Sequence, residues 1–398
     1  MKEPSVPMSS PDLTEAEIRA VNEVIHTPCL SIGPKISGFE KAMAAFAGVS
    51  HAVGVSSGTS GLHLCVVAAG VGADDLVITT PFSFISSANC IRYERGIPVF
   101  VDVDPATGNI DGRRAAEAIE ALEAGPGTKR ARAFLPRALR SSKSALGTLK
   151  AVLPVDAFGQ PADIDPILGA ARKAGVAVIE DACEAIGSEY KGRKAGALGD
   201  VGVFAFYPNK QMTTGEGGII VTDRGDWDRL FRSLRNQGRD VFDAWLTHSR
   251  LGYNYRLDEM SAALGLAQLT RIEELLSKRQ RVAGWYNERL KELDRVEVPV
   301  LAPTTTRISW FIYVIRLAPE LDRTRVMARL EGEGIPSRPY FSPIHLQPCY
   351  AESYGYRRGD FPAAERLGDV SLALPFSSVM TESQVDRVCE ALGGAIQG

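Results

Sequence analysis

Residues 201–218 read VGVFAFYPNKQMTTGEGG. The run VGVFAF is apolar without alternation, as a strand buried on both faces of a parallel sheet must be. It leads into Lys210, two threonines and a glycine-rich turn, and GGIIVT (217–222) then reads as another strand. Most lysines are solvated surface charges. One held at the carboxyl end of a buried strand stands where open α/β sheets bind their ligands.

Working outward, short apolar runs alternate with helical patterns from residue 50 to 225. HAVGV (51–55), DLVITT (75–80), IPVFVDVD (97–104), AVLPVDAF (151–158) and VAVIED (176–181) read as strands. GTSGLHLCVVAAG (58–70), SANCIRYERG (87–96) and DIDPILGAARKAG (163–175) read as helices between them. Such alternation predicts a mostly parallel sheet covered by helices on both faces. After about residue 265 the pattern changes. Residues 257–293 carry helical periodicity over a long span. SWFIYVIRL (309–317) is a strand, RTRVMARLEGEGI (323–335) a helix, and TESQVDRVCEALGGAI (381–396) a closing helix with Thr381 as its N-cap. The predicted division is residues 1–265, an N-terminal arm and large α/β domain, and residues 266–398, a smaller α+β domain.

Composition narrows the class. At 398 residues the chain is too long for one simple core. Hydrophobic content of 45% and charged content of 23% suit a soluble globular protein, and a net charge of −3 gives no reason to expect nucleic acid or a membrane surface as partner. The start MKEPSVPMSS has no apolar core of a secretory signal. The most apolar long stretch, residues 51–73, is interrupted by Gly, Ser, Thr and His, which argues against a membrane span. The six cysteines form no CxxC pair, and several sit in apolar runs as reduced cysteines of a cytoplasmic protein do. The five histidines show no metal-ligand spacing, so no metal site is expected. Between Glu123 and Asp156 the chain has no acidic residue, but it carries Lys129, Arg130, Arg132, Arg137, Arg140, Lys143 and Lys150. A solvated surface loop or hairpin is the expectation for this segment.

Three strand ends carry distinctive groups. VGVSSGTSG (53–61) is a strand followed by a helix start, where Gly58 allows a tight turn and the amides of Thr59 and Ser60 are free to hold a phosphate. The spacing is not the dinucleotide fingerprint GxGxxG. In isolation, serines and threonines there are ordinary caps. VIEDACEAIG (178–187) places Asp181 directly after a strand, where a helix N-cap is the ordinary alternative. VFAFYPNK (203–210) supplies Lys210. One cofactor accounts for all three: pyridoxal 5'-phosphate needs a phosphate cradle, a carboxylate for its pyridine nitrogen and a lysine to form the Schiff base. The lysine must leave bulk water, because the neutral amine is the nucleophile and a free ammonium has a pKa of about 10.4.

The motifs EDACEA (180–185), GDVGVFAFYPNKQMTTGEGG (199–218), PFSFISSAN (81–89), RNQGR (235–239) and LGYNYRLDEMSAALGLAQL (251–269) resemble the DegT/DnrJ/StrS family of pyridoxal-phosphate-dependent sugar aminotransferases of fold type I. The resemblance continues through YFSPIHLQPCY (340–350) and covers nearly the whole chain. It implies that Lys210 forms the internal aldimine and shuttles protons, and that Asp181 pairs with the ring nitrogen. It further implies that Phe84 stacks on the ring and that Gly58, Thr59 and Ser60 form the phosphate loop. Glu184 occupies a position near the ring that varies in the family. Asn254 is implied to reach the phosphate of a partner subunit's cofactor, and Arg256 to meet substrate there, which makes the enzyme a homodimer. The implied reaction converts a nucleotide-linked keto sugar to the amino sugar, with L-glutamate as amino donor and ping-pong kinetics.

Two departures stand out. Ala205 occupies a position where the family often has a phosphate-binding serine, and the Ser60 hydroxyl is expected to compensate. The basic segment at about 126–150 reads as an insertion, with a substrate diphosphate as its candidate contact. The rival readings are a keto-cyclitol aminotransferase and a cofactor-binding regulatory protein without turnover. Lys210 itself argues against the family's dehydratase branch, which carries histidine there. His345 is open between a packed residue and a substrate contact.

Overall fold

The computed structural model describes residues 5–141, 146–240 and 247–397. Its central sheet has seven strands: β1 (His51–Val55), β2 (Leu76–Thr79), β3 (Ile97–Phe100), β4 (Leu149–Leu153), β5 (Ala177–Asp181), β6 (Val201–Ala205) and β7 (Gly218–Thr222). They lie in the order β1-β7-β6-β5-β4-β2-β3. β7 is antiparallel to both neighbours, and the other pairings are parallel. The reason is local. Parallel strands need a long crossover, usually a helix, whereas the chain from β6 to β7 turns back through Gly215 and Gly217 at φ 80° and 155°.

Alternation along the strands covers both faces. Ile78, Val99, Val152 and Val178 pack in one core cluster, while Val77, Ala151, Leu153 and Ile179 pack in another on the opposite face. Adjacent residues thus serve different cores, which is why these strands read as unbroken apolar runs.

The C-terminal part has its own antiparallel sheet, β8 (Val296–Glu297), β9 (Tyr313–Leu317), β10 (Arg338–Pro339) and β11 (Ser371–Leu374), in the order β8-β9-β11-β10. The long helical pattern divides at Arg271 into helices Glu259–Thr270 and Ile272–Leu290. The second of these joins two cores. Ile272, Leu275 and Leu276 pack with Phe39 and Phe206, whereas Val282, Tyr286 and Leu290 pack with Tyr313 and Val388. Thr381 caps the closing helix as expected: its Oγ1 accepts from Gln384 N at 3.3 Å and its amide donates to Gln384 Oε1 at 2.9 Å.

The basic segment is partly helical, not a loop or hairpin. Thr128 Oγ1 accepts from Ala131 N at 3.2 Å and starts the helix Lys129–Phe134. Ala131 and Leu135, four residues apart, are buried in the large-domain core. Lys129, Arg130 and Arg132 stay exposed, and Arg137 Nε donates to Asp360 at 2.6 Å. Lys143 lies outside the described residues. Among the described residues no helix is long and apolar enough to cross a membrane.

Candidate active site

The loops that leave β1, β5 and β6 at their carboxyl ends meet at one cavity of about 440 Å³. Gly58 explains how closely they meet. A Cβ at that position would fall 2.7 Å from Ala205 Cβ and 2.8 Å from Cys183 Sγ, inside any real van der Waals contact, so the three loops require glycine there.

After β1 comes the helix Gly58–Ala68, whose N-cap is Ser57. Ser57 Oγ accepts from Ser60 N at 3.1 Å, and Ser60 Oγ accepts from Ser57 N at 2.9 Å. Ser60 Oγ also donates to Ser57 O at 2.8 Å. In this chain the Ser60 amide and hydroxyl close a capping box with Ser57, and its side chain is buried. The first-turn amides left for an anion are those of Gly58 and Thr59.

Asp181 is the last residue of β5 and is buried. Its Oδ2 accepts from Ser87 Oγ at 2.8 Å and its Oδ1 from Cys183 N at 3.2 Å. No helix follows it for the side chain to cap. Two further carboxyl groups lie behind it. Glu180 accepts from Gly196 N at 2.6 Å and Leu198 N at 3.0 Å. Asp156, whose amide donates to Asp181 O at 3.0 Å, accepts from Ala162 N at 2.9 Å through Oδ1 alone. Burial pushes both carboxyls up, and Glu180's charge pushes Asp156 further. Asp156 Oδ2 has no donor among the described residues. Asp156 has the poorer set of donors, and its carboxyl is pushed up by burial first and by Glu180 beside it.

Lys210 lies beyond the end of β6, in the return to β7, with 13% of its side chain exposed. Its Nζ sits 3.4 Å from Glu184 Oε1 and 3.8 Å from the centre of the Phe311 ring. Glu184 Oε2 accepts from Phe158 N at 2.9 Å. Burial raises the Glu184 pKa, and the positive charge of Lys210 partly offsets that rise.

Phe84 stands exposed at the cavity edge. Asn254 and Arg256 do not line the cavity of a single chain. Asn254 is exposed and bridges to Asn236, and Arg256 Nη1 donates to Asn236 Oδ1 at 3.1 Å. His345 is fully buried, with Nε2 2.9 Å from Glu365 Oε1, and is also absent from the lining. Sequence reasoning missed Ser57, Ser87, Phe311, Tyr340 and Phe341, all of which line the cavity. Ser57 and Ser87 stood beside motifs already singled out. The three aromatics come from distant segments: Tyr340 and Phe341 open the quoted YFSPIHLQPCY, with no individual role assigned, and Phe311 lies in a strand pattern that carried no sign of the site.

A primary amine, a buried carboxylate and a helix N-terminus in one cavity of this size suit pyridoxal 5'-phosphate, by the chemistry of the donors and the room for a small ligand.

The model of the DegT/DnrJ/EryC1/StrS aminotransferase family matches residues 11–393. The chain is 40% identical over 393 residues to GDP-perosamine synthase of Caulobacter vibrioides, covering 98% of each. It is 32% identical over 389 residues to GDP-perosamine synthase of Escherichia coli O157:H7, covering 97% of each. Among solved structures, S. venezuelae DesV in complex with a ketimine intermediate superposes with a TM-score of 0.85 at 29% identity, over 100% of both chains.

Proposed function

This chain belongs to the DegT/DnrJ/EryC1/StrS aminotransferase family, and on that premise we propose that it is a pyridoxal-phosphate-dependent enzyme aminating a nucleotide-linked keto sugar with L-glutamate as donor. The observation that carries the reading is the meeting of Lys210, Asp181 and the Gly58–Thr59 helix start in one cavity. The first nucleotide to test is guanosine diphosphate, since the 40% identical relative is named for a GDP-linked product.

When bound, pyridoxal phosphate supplies an electron-withdrawing ring that stabilises charge on the carbon losing its proton. The protein's own residues do the rest. Gly58 and Thr59 hold the phosphate with amides at the positive end of a helix. Asp181, aimed by Ser87 and Cys183, keeps the ring nitrogen protonated. Lys210 takes and returns the proton at Nζ, and Glu184 pairs with the ammonium while the proton is held there. Phe84 flanks the ring, and Phe311, Tyr340 and Phe341 exclude water from the reacting atoms. Asn254 and Arg256 act in the site of a second copy, so the working unit is a homodimer in the cytoplasm, where nucleotide sugars are made.

Borohydride reduction of the loaded protein, followed by peptide mass spectrometry, is expected to leave a pyridoxyl group on Lys210; an unmodified Lys210 overturns the reading. The aminated form is then expected to turn over a GDP-linked keto sugar faster than a free keto-cyclitol. The reverse order overturns the substrate assignment.

A further inference from the structure

Arg279, on the helix Ile272–Leu290, is 1% exposed. A buried guanidinium usually faces a carboxylate, yet Arg279 forms no ion pair with a described residue. Asp12, the acidic residue that bears on its charge, is already paired with Arg271 and Lys278. Burial brings the Arg279 pKa down to about 10, which leaves it charged at neutral pH.

Four backbone carbonyls take the place of the missing anion. Nη1 donates to Trp310 O at 3.3 Å and Phe311 O at 3.0 Å, while Nη2 donates to Asn209 O at 3.3 Å and Lys210 O at 2.7 Å. The two pairs belong to segments a hundred residues apart, and both matter to the amine. One carries Lys210. The other carries Phe311, whose ring centre lies 3.8 Å from Lys210 Nζ.

We infer that Arg279 is a positioning residue for Lys210: a single buried fork ties the lysine's own turn to the Trp310–Phe311 segment and so fixes where the amine stands over the ring and beside Glu184. The inference rests on the aminotransferase reading above. A planar guanidinium spans both carbonyl pairs, and a lysine ammonium, a point charge on a flexible stem, does not. Charge alone is therefore insufficient, and Arg279→Lys separates geometry from electrostatics.

The test uses wild type, Arg279→Lys and Leu290→Ala, all loaded with pyridoxal phosphate. Leu290 is buried in the C-terminal core, away from the cavity, and its truncation controls for lost stability. Borohydride trapping on Lys210 is read by mass spectrometry, beside Tm, kcat and the KM of each substrate. For Arg279→Lys, the rate of trapping and kcat are expected to fall roughly 10- to 100-fold, as reacting groups misplaced by about 1 Å do, with KM values little changed. Leu290→Ala is expected to lower Tm and leave trapping intact. Arg279→Gln, neutral and too short to reach both pairs, carries the same expectation and stands in if Arg279→Lys does not fold. Normal trapping and kcat in the Arg279 variant overturn the inference, as does an equal loss in Leu290→Ala. An unlabelled wild type is a different result: it removes the aminotransferase reading, and the inference falls with it.

Discussion

Lys210 Nζ lies 3.4 Å from Oε1 of Glu184, and both side chains are largely withdrawn from water. Burial raises the Glu184 pKa and Lys210 lowers it again, so the carboxyl titrates above its usual range. Below that pKa a protonated Glu184 no longer pairs with the ammonium. The kcat of the wild type is therefore expected to fall on the acid side, and Glu184→Gln, permanently uncharged, to lose that limb and stay near the wild type's low acid-side rate across the range. A pH–rate profile of both proteins checks this; an unchanged acid limb in Glu184→Gln assigns it elsewhere.

Ser87 aims Asp181. Its Oγ donates to Oδ2 at 2.8 Å inside the protein, and hydrogen bonds to charged groups contribute about 1.5–3 kcal/mol. Ser87→Ala is expected to weaken pyridoxal phosphate binding by roughly 10- to 100-fold at that energy. The Tm of the cofactor-free protein is expected to fall as well, because the bond is already made without the cofactor. Equilibrium titration of cofactor fluorescence gives the answer, and wild-type affinity in Ser87→Ala would show that Asp181 needs no such support.

Ser60 and Ala205 can be tested separately. The Ser60 hydroxyl closes the capping box with Ser57, so Ser60→Ala is expected to destabilise the protein by about 1 kcal/mol while leaving cofactor affinity unchanged. Ala205 lines the cavity, so Ala205→Ser adds a hydroxyl facing the phosphate loop and is expected to tighten binding. Loosened binding in Ser60→Ala would restore the compensating role.

Burial, with Glu180 beside it, pushes the Asp156 carboxyl up. Its pKa stands well above the ordinary 3.8 because it is buried beside Glu180. A group with a raised folded pKa contributes stability that is complete below its unfolded pKa and is lost as pH rises through the folded one. Asp156→Asn cannot titrate and retains an acceptor for Ala162 N. Its Tm relative to wild type is expected to climb as pH rises from about 4; a constant difference across pH would mean that Asp156 titrates normally.

The basic segment braces the fold in this structure. Arg137 pairs with Asp360, whose side chain is 3% exposed. Arg137→Ala strands that carboxylate and is expected to lower Tm. Neutralising the exposed Lys129, Arg130 and Arg132 together is expected to leave the KM for the sugar nucleotide and its salt dependence unchanged. A rise in KM would place the segment at the substrate.

Much of this was written in the chain. Apolar runs of strand length separated by helical patterns dictate a covered parallel sheet, because each strand must bury both faces. Asp181, Gly58 and Lys210 were legible because each lies at or just after the carboxyl end of a strand, and such a sheet gathers those ends at one edge. Other features were not local. The basic stretch formed a helix because Ala131 and Leu135 found a core that their charged neighbours concealed.

The sequence by itself determined which groups the site contains, since an amine, a carboxylate and a helix start are fixed by residue type and by position along strands. Only the tertiary structure decided how they are held. Ser87 reaches Asp181, Glu184 reaches Lys210, and Arg279 reaches the Lys210 carbonyl from separate segments of the chain. Hydrogen bonds act over about 3 Å, and proximity on that scale between distant segments exists only after the chain has packed.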